Sequence, residues 1–248
     1  MRLFLAQLRT EQLLFWRNRE AAVFVFVFPP MLYLLLGAVY DGEIDGKPAA
    51  DVLLSGLIGY GCANTAFGGL AITQVIRREN GWLKRLRATP LPQRTYLLAV
   101  VSSTLLVFAL QMLVTLALGV VLYDADGPAR WLELGFLVVV GGLAFAGMGF
   151  GAASLIRSAE GSSAVINLVV LPMAFLSGAF GPTSGYPDVL RAIADVLPLT
   201  YLIDLLDRAY LDDRSIWGDP IALAIVGAWG AAGLLVAWRR FGWEPRER

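Results

Sequence analysis

The sequence contains no histidine and a single cysteine, Cys62, among 248 residues. Without histidine the chain lacks the usual general base, the commonest metal ligand and any serine–histidine triad. No GxxxxGK[ST] phosphate loop is present, since the nearest match, residues 42–47, has the wrong spacing and Pro48 in place of the hydroxyl residue. These absences argue against hydrolytic catalysis, a metal site, a disulfide within the chain and ATP hydrolysis on this chain.

Charged residues are also scarce. They make up 16% of the chain, against about 25% in a typical soluble domain. The 20 basic and 20 acidic residues cancel, and no basic block of the kind that binds nucleic acid is present. Hydrophobic residues reach 57% and lie in runs long enough to cross a hydrocarbon core about 30 Å thick as helices. The composition therefore predicts an all-α membrane protein.

Six membrane spans are expected, within a single domain of residues 21–248. Their predicted limits are Ala21–Tyr40, Val52–Ile76, Tyr96–Leu122, Leu132–Ile156, Ser163–Phe180 and Pro220–Trp238. In this arrangement 15 of the 20 Lys and Arg residues lie on the side of both termini, and 5 on the other. Because basic residues concentrate on the cytoplasmic side, we expect a multi-pass protein of the cell membrane with both termini in the cytoplasm.

Residues 1–20 are predicted to form an amphipathic helix that lies on the membrane surface. Its apolar face contains Phe4, Leu8 and Phe15, and its basic face contains Arg2, Arg9 and Arg17. Arg9, Trp16 and Arg17 are the expected interfacial anchors, whereas Glu11 and Leu13 fall on unsuitable faces. The helix is either a lipid anchor alone or a cytoplasmic elbow that also contacts a partner.

A second amphipathic helix is predicted in the longest cytoplasmic connection, over residues 77–90. Glu79, Leu83 and Leu86 recur at i, i+4 and i+7 and would share one face, after which Pro90 and Pro92 end the helix. From the residues alone, this helix either rests on the lipid surface or docks on a partner.

The outer connection, residues 181–215, has too many leucines for a plain loop. Pro182 and Pro187 break the chain, a short segment follows, and a helix from Pro198 places Leu199, Leu202, Leu206 and Tyr210 on one face. We expect a re-entrant hairpin that dips into the outer leaflet.

Uncharged polar residues inside the spans are candidates for a substrate path, because lipid makes them costly. They are Asn64, Thr65, Gln111 and Asn167. Each could equally form hydrogen bonds between helices. Gly147, Gly149 and Gly151 resemble a dinucleotide fingerprint only superficially, and inside a span they predict close helix packing.

Two segments resemble the permease subunits of type-2 ATP-binding-cassette (ABC) exporters, which include drug-resistance, polysaccharide and lipid-export permeases. Residues 79–90, read as ENGWLKRLRATP, are similar to the coupling helix of that family, although Lys84 departs from an acid often found there. Residues 171–201, with Pro172, Gly178, Pro182 and Pro198, are similar to its signature around the fifth span.

The resemblance implies a permease that exports an amphiphilic compound such as a drug, a lipid or a lipid-linked glycan. It implies a second copy or a paralogous permease as partner, and a cytoplasmic ATPase that binds ATP and Mg²⁺, with no cofactor on this chain. The implied coupling residues are Glu79, Trp82, Leu83, Arg85, Leu86 and Arg87.

Two other functional classes fit the sequence less well. An ion-coupled secondary transporter is disfavoured because no span contains a buried acid–base pair and no inverted repeat is evident. A membrane-embedded enzyme would need a catalytic constellation facing the membrane, and none is visible in the sequence. A neighbouring gene for a lone ATPase would separate the exporter from both.

Overall fold

The computed structural model describes residues 1–240 except 41, 45, 124 and 126, together with residue 242. Arg246 and Arg248, counted in the orientation argument, lie outside the described residues. The helices are α1 Arg2–Arg17, α2 Arg19–Val39, α3 Ala49–Cys62, a π-helix Ala63–Gly69, α4 Leu70–Glu79, α5 Trp82–Arg87, α6 Gln93–Tyr123, α7 Trp131–Leu155, α8 Ala159–Leu176, α9 Asp188–Ala194, α10 Pro198–Tyr210, a 3-10 turn Ile216–Gly218 and α11 Pro220–Arg240. Two short antiparallel strands, β1 Glu43–Ile44 and β2 Lys47–Pro48, follow α2.

Five helices in the described part of the chain are long and apolar enough to cross a membrane: α2, α6, α7, α8 and α11. They confirm the prediction of an all-α, multi-pass membrane protein. The predicted span Val52–Ile76 lies in α3, the π-helix and α4, which follow one another without a break. The count of six spans and the orientation of the termini remain predictions.

The N-terminal helix is joined to the first predicted span by one residue, Asn18. The Asn18 side chain accepts a hydrogen bond from the Ala21 amide at 3.2 Å and so caps the start of α2. On the other side of α1, the Gln12 amide donates to the Ser103 hydroxyl of α6 at 2.9 Å. Helix α1 is therefore fixed to the third predicted span. Its residues Arg9 and Arg17 are exposed.

Glycines bring α7 and α11 into backbone contact. A Cβ atom on Gly147 would lie 2.6 Å from the Gly230 carbonyl oxygen, and one on Gly151 would lie 2.7 Å from that of Gly233. Gly149 faces the other way, where a Cβ would lie 2.9 Å from the Phe67 carbonyl oxygen of the π-helix. The predicted helix-packing role of the three α7 glycines is confirmed.

The outer connection contains two helices, α9 and α10, and the apolar face predicted for the second is buried: Leu199, Leu202, Leu206 and Tyr210. Two polar contacts join α10 to α3: the Ser55 hydroxyl donates to the Asp207 carboxylate, and the Tyr210 hydroxyl contacts Asp51 at 3.4 Å. Burial raises the pKa of Asp207 to about 6. The depth of this hairpin in the membrane remains a prediction.

Gly230→Ala should destabilise the protein by about 1–3 kcal/mol, because the new methyl group would overlap the Ala144 backbone at 2.5 Å. Gly227→Ala, on the same helix, is the matched control: nothing lies within 4 Å of its Cβ position, and alanine should stabilise the helix by roughly 0.5–1 kcal/mol. Thermal unfolding of the purified protein in detergent measures both. Equal effects of the two substitutions would contradict the close α7–α11 contact.

Candidate functional site

The segment between α4 and α6 is divided by a left-handed residue. Gly81 has φ of 67° and precedes the six-residue helix α5, Trp82–Arg87. Positive φ is disfavoured for residues with a Cβ, so glycine is the residue suited to this bend. The Thr89 hydroxyl then donates to the Leu86 carbonyl at 2.6 Å and ends the turn before Pro90. The predicted helix over residues 77–90 is thus two helices that meet at Gly81.

This bend contradicts the expected single face of Glu79, Leu83 and Leu86. Glu79 is the last residue of α4, whereas the two leucines belong to α5. Leu83 is fully buried and packs in one cluster with Leu70, Tyr96 and Phe150, against which Leu86 also packs. The prediction of one helical face shared by these three residues is wrong, because the periodicity was counted across a helix break.

The exposed side of α5 is basic. Lys84, Arg85 and Arg87 are all exposed, whereas Trp82 and Leu86 are half-buried against the protein. A substitution of Leu86 would therefore disturb the packing of this chain itself. The coupling role of α5 remains a prediction, and the side chains available to a partner are the three cations.

Two neighbouring residues at the end of α4 hold the turn between α7 and α8. The Arg78 guanidinium, which is buried, donates to the Ala153 carbonyl at 2.7 Å and to the Ile156 carbonyl at the end of α7. The Glu79 carboxylate accepts from the Ala159 amide, at the start of α8. A cation thus meets the negative end of one helix dipole and an anion the positive end of the next.

The preceding residue, Arg77, fixes α4 to two further helices. Its guanidinium forms an ion pair with Glu11 of α1 at 2.7 Å and donates to the Tyr96 hydroxyl of α6 at 3.1 Å. It also lies 4.8 Å from the centre of the Trp82 ring of α5. Sequence reasoning missed this network, and its one signal was Glu11, an acid on the face expected to be apolar.

The interfacial anchors lie on the exposed side of α1. Arg9 and Arg17 are exposed, and Trp16 is partly exposed and stacks on Phe26 of α2 with ring centres 5.2 Å apart. The Trp16 indole also donates to Gln12 at 3.2 Å. These positions are suited to a lipid surface, and a role as anchors remains a prediction.

The four substrate-path candidates do not come together in one place. Asn167 is exposed on α8 and Asn64 is half-buried on the π-helix, whereas Thr65 and Gln111 are buried. Neither amide atom of Gln111 has a hydrogen-bond partner within the described residues, and the side chain packs directly on Gly61.

Across the described ranges, no three acidic or cysteine side chains are grouped so that they could hold a metal ion.

Comparison with protein families gives a match over most of the chain. Residues 2–211 match the pattern described as ABC-2 type transporter. This range includes α1, the two-helix segment around Gly81, the turn held by Arg78 and Glu79, and the outer hairpin.

Among curated proteins, the chain is similar to the transport permease YvfS of Bacillus subtilis, with 25% identity over 73% of this chain and 75% of that protein. It is similar to the multidrug ABC transporter permease YbhR of Escherichia coli, with 24% identity over 71% of this chain and half of that protein. Nodulation protein J of Rhizobium leguminosarum bv. viciae is 36% identical over 39% of this chain and 36% of its own length.

The contact between Glu79 and α8 can be tested without a partner. Glu79→Ala should remove an acceptor at the start of α8, a loss of about 1 kcal/mol, and hydrogen exchange at the Ala159 amide should become roughly fivefold faster. Glu160→Ala is the matched control, because it removes an exposed acid from the same first turn. Hydrogen–deuterium exchange with mass spectrometry measures both, and unchanged exchange in Glu79→Ala would contradict the contact.

Proposed function

Because this chain belongs to the ABC-2 type transporter family, we propose that it is the membrane-spanning permease subunit of an ATP-driven exporter. The proposed substrate is an amphiphilic or hydrophobic compound: a drug, a lipid or a lipid-linked glycan. The similarity to permeases named for transport and for multidrug transport supports the proposal, and no sequence motif for ATP binding is present on this chain.

The observation that carries the proposal is the exposed basic side of α5. Lys84, Arg85 and Arg87 form a cationic surface at the tip of the segment between two spans, while Leu83 anchors the same helix in the protein. Charge complementarity across an interface speeds association and fixes orientation. An ATPase subunit with an acidic groove would fit this surface, and ATP and Mg²⁺ would bind to that subunit.

The contacts of Arg78 and Glu79 give this surface a direct route to the membrane helices. A displacement of α5 acts on α4 through the short bend at Gly81, and α4 is bonded to the last turn of α7 and the first turn of α8. Closure of the partner ATPases would therefore shift α8 together with α4, between two alternative packings of the spans.

We also propose that two copies, or this chain and a paralogous permease, enclose the path between α2 and α8. Both helices leave many apolar residues exposed within one copy, among them Val23, Phe24, Val27, Leu35 on α2 and Val165, Leu168, Val169, Phe175 on α8. Asn167 lies on the exposed part of α8 and Asn64 is half-buried on the π-helix, so both are suited to contact a substrate there. Thr65 and Gln111 are buried within one copy and are less suited to line this path between copies.

Charge reversal on α5 tests the docking surface. Arg85→Glu should weaken co-purification with the ATPase subunit about tenfold or more, and should reduce substrate-stimulated ATP hydrolysis, because it places an anion in an interface complementary to cations. The measurement is binding and ATP turnover with single ABC ATPase subunits of the same organism, in reconstituted membranes.

Arg214→Glu is the matched control, because it makes the same charge change at an exposed residue of the predicted outer side. It should leave ATPase binding unchanged. Substrate-stimulated ATP hydrolysis at the wild-type level with the Arg85→Glu variant would refute the docking surface. Transport that needs no ATPase subunit and follows an ion gradient would instead establish the ion-coupled carrier.

A further inference from the structure

A cavity of about 170 Å³ lies inside a single copy, where the N-terminal helix meets the spans. Its wall is made by α1, α2, the π-helix, α4 and α6. It is on the side of the protein that carries α5, at the level of the Glu11–Arg77 ion pair. None of its lining residues belongs to α8, and nothing in the proposed function assigns the cavity a role.

A chain of hydrogen bonds through Tyr96 connects two polar residues of the wall, Arg77 and Gln74. The Arg77 guanidinium donates to the Tyr96 hydroxyl at 3.1 Å, and that hydroxyl donates to the Gln74 side-chain oxygen at 2.9 Å. Since arginine can only donate, the Tyr96 proton must point to Gln74, and the Gln74 atom that receives it must be the oxygen. The amide NH₂ of Gln74 is therefore the end of the chain and faces away from Tyr96.

Two polar groups of the wall lack a partner. The Gln74 side-chain nitrogen and the Thr65 hydroxyl are buried, and neither has a hydrogen-bond partner among the described residues. The exposed fraction is 1% for Gln74 and 6% for Thr65, and both residues line the cavity. Leaving such a group unsatisfied is unfavourable, so an occupant that accepts a hydrogen bond here would be stabilised.

Charge in the cavity is balanced. Glu11 accepts from both Arg77 and Gln7, and Arg77 is shared among Glu11, Tyr96 and the Trp82 ring. No net charge remains to recognise an ion, and a charged head would lose its hydration without a counter-ion. The remainder of the wall combines apolar residues, among them Leu14, Phe15, Val25 and Val107, with the uncharged polar residues Asn18, Thr73, Ser103 and Thr104.

We propose that this cavity is a binding site for an amphiphile with an uncharged, hydrogen-bond-accepting head group. The head accepts from Gln74 and contacts the Thr65 hydroxyl, and the apolar part lies along α1 and α2. The volume is below the 300–1,000 Å³ usual for drug-sized ligands, so the cavity holds the head and the first part of the chain, and the rest extends into lipid. The occupant is a resident lipid or a transported compound with the same head chemistry.

Photolabelling of the purified protein in nanodiscs of phosphatidylethanolamine and phosphatidylglycerol tests the site. The probe is a monoacylglycerol with a diazirine near the glycerol, compared with an anionic fatty acid and a cationic alkyltrimethylammonium of the same chain length. We expect the uncharged probe to label residues 7–18, 65–77 and 100–107 severalfold more than either charged probe. Equal or stronger labelling of these peptides by a charged probe would overturn the proposal.

Two pairs of variants make the test specific. Thr104→Phe fills the cavity wall from α6 and should abolish the labelling, whereas Leu106→Phe adds a ring on an exposed part of the same helix and should not. Thr65→Val should reduce labelling about threefold to tenfold while leaving the unfolding temperature equal or higher. Thr115→Val is its control, because it removes a buried hydroxyl that bonds within α6. Labelling that persists in Thr104→Phe would also overturn the proposal.

The source of the occupant follows from two further measurements. A lipid that co-purifies with the wild type and is depleted in Thr104→Phe would identify a resident lipid. Release of bound monoacylglycerol during ATP turnover by the complex with its ATPase would identify a transported compound. The labelling itself needs no ATPase, so its failure would refute this site and leave the proposed function standing.

Discussion

The bonds from Arg78 and Glu79 to the α7–α8 turn are the constraint on which the coupling geometry depends. A basic residue meets the carbonyl end of one helix and an acidic residue meets the amide end of the next, so both contacts are favoured by the helix dipoles. They connect α4, and through the bend at Gly81 the short helix α5, to the turn between the fourth and fifth predicted spans. In the proposed mechanism, a displacement of α5 is therefore transmitted to α8.

Patterns local to one helix could be predicted from the sequence. The apolar face of α10 and the glycines of α7 follow from helical periodicity and from the small size of glycine, and both predictions are confirmed. The predicted single helical face of Glu79, Leu83 and Leu86 was wrong because the helix is interrupted at Gly81, which has a positive φ. A glycine permits positive φ without requiring it, so the break was not visible beforehand.

Contacts between distant helices could not be predicted in the same way. Glu11 and Arg77 are 66 positions apart, and the pairing depends on how α1 lies against α4 and α6, which no local pattern specifies. Glu11 did stand out as an acid on an apolar face. The burial of the polar substrate-path candidates could not be predicted either. Asn167 and Gln111 are both polar residues of a predicted span, but Asn167 is exposed and Gln111 is buried.

The central claim is that α5 and α8 move together, and a distance measurement tests it directly. In a Cys62→Ala background, spin labels are attached at positions 84 and 163, since Lys84 and Ser163 are both exposed. Doubly labelled copies are diluted with unlabelled copies, so that the distance is measured within one copy. The account predicts that this Lys84–Ser163 distance is the same in the nucleotide-free and vanadate-trapped complexes. In a second sample with a label only at Ser163 of each copy, the distance between the two labels should change. A Lys84–Ser163 distance that changes between the two states would contradict it.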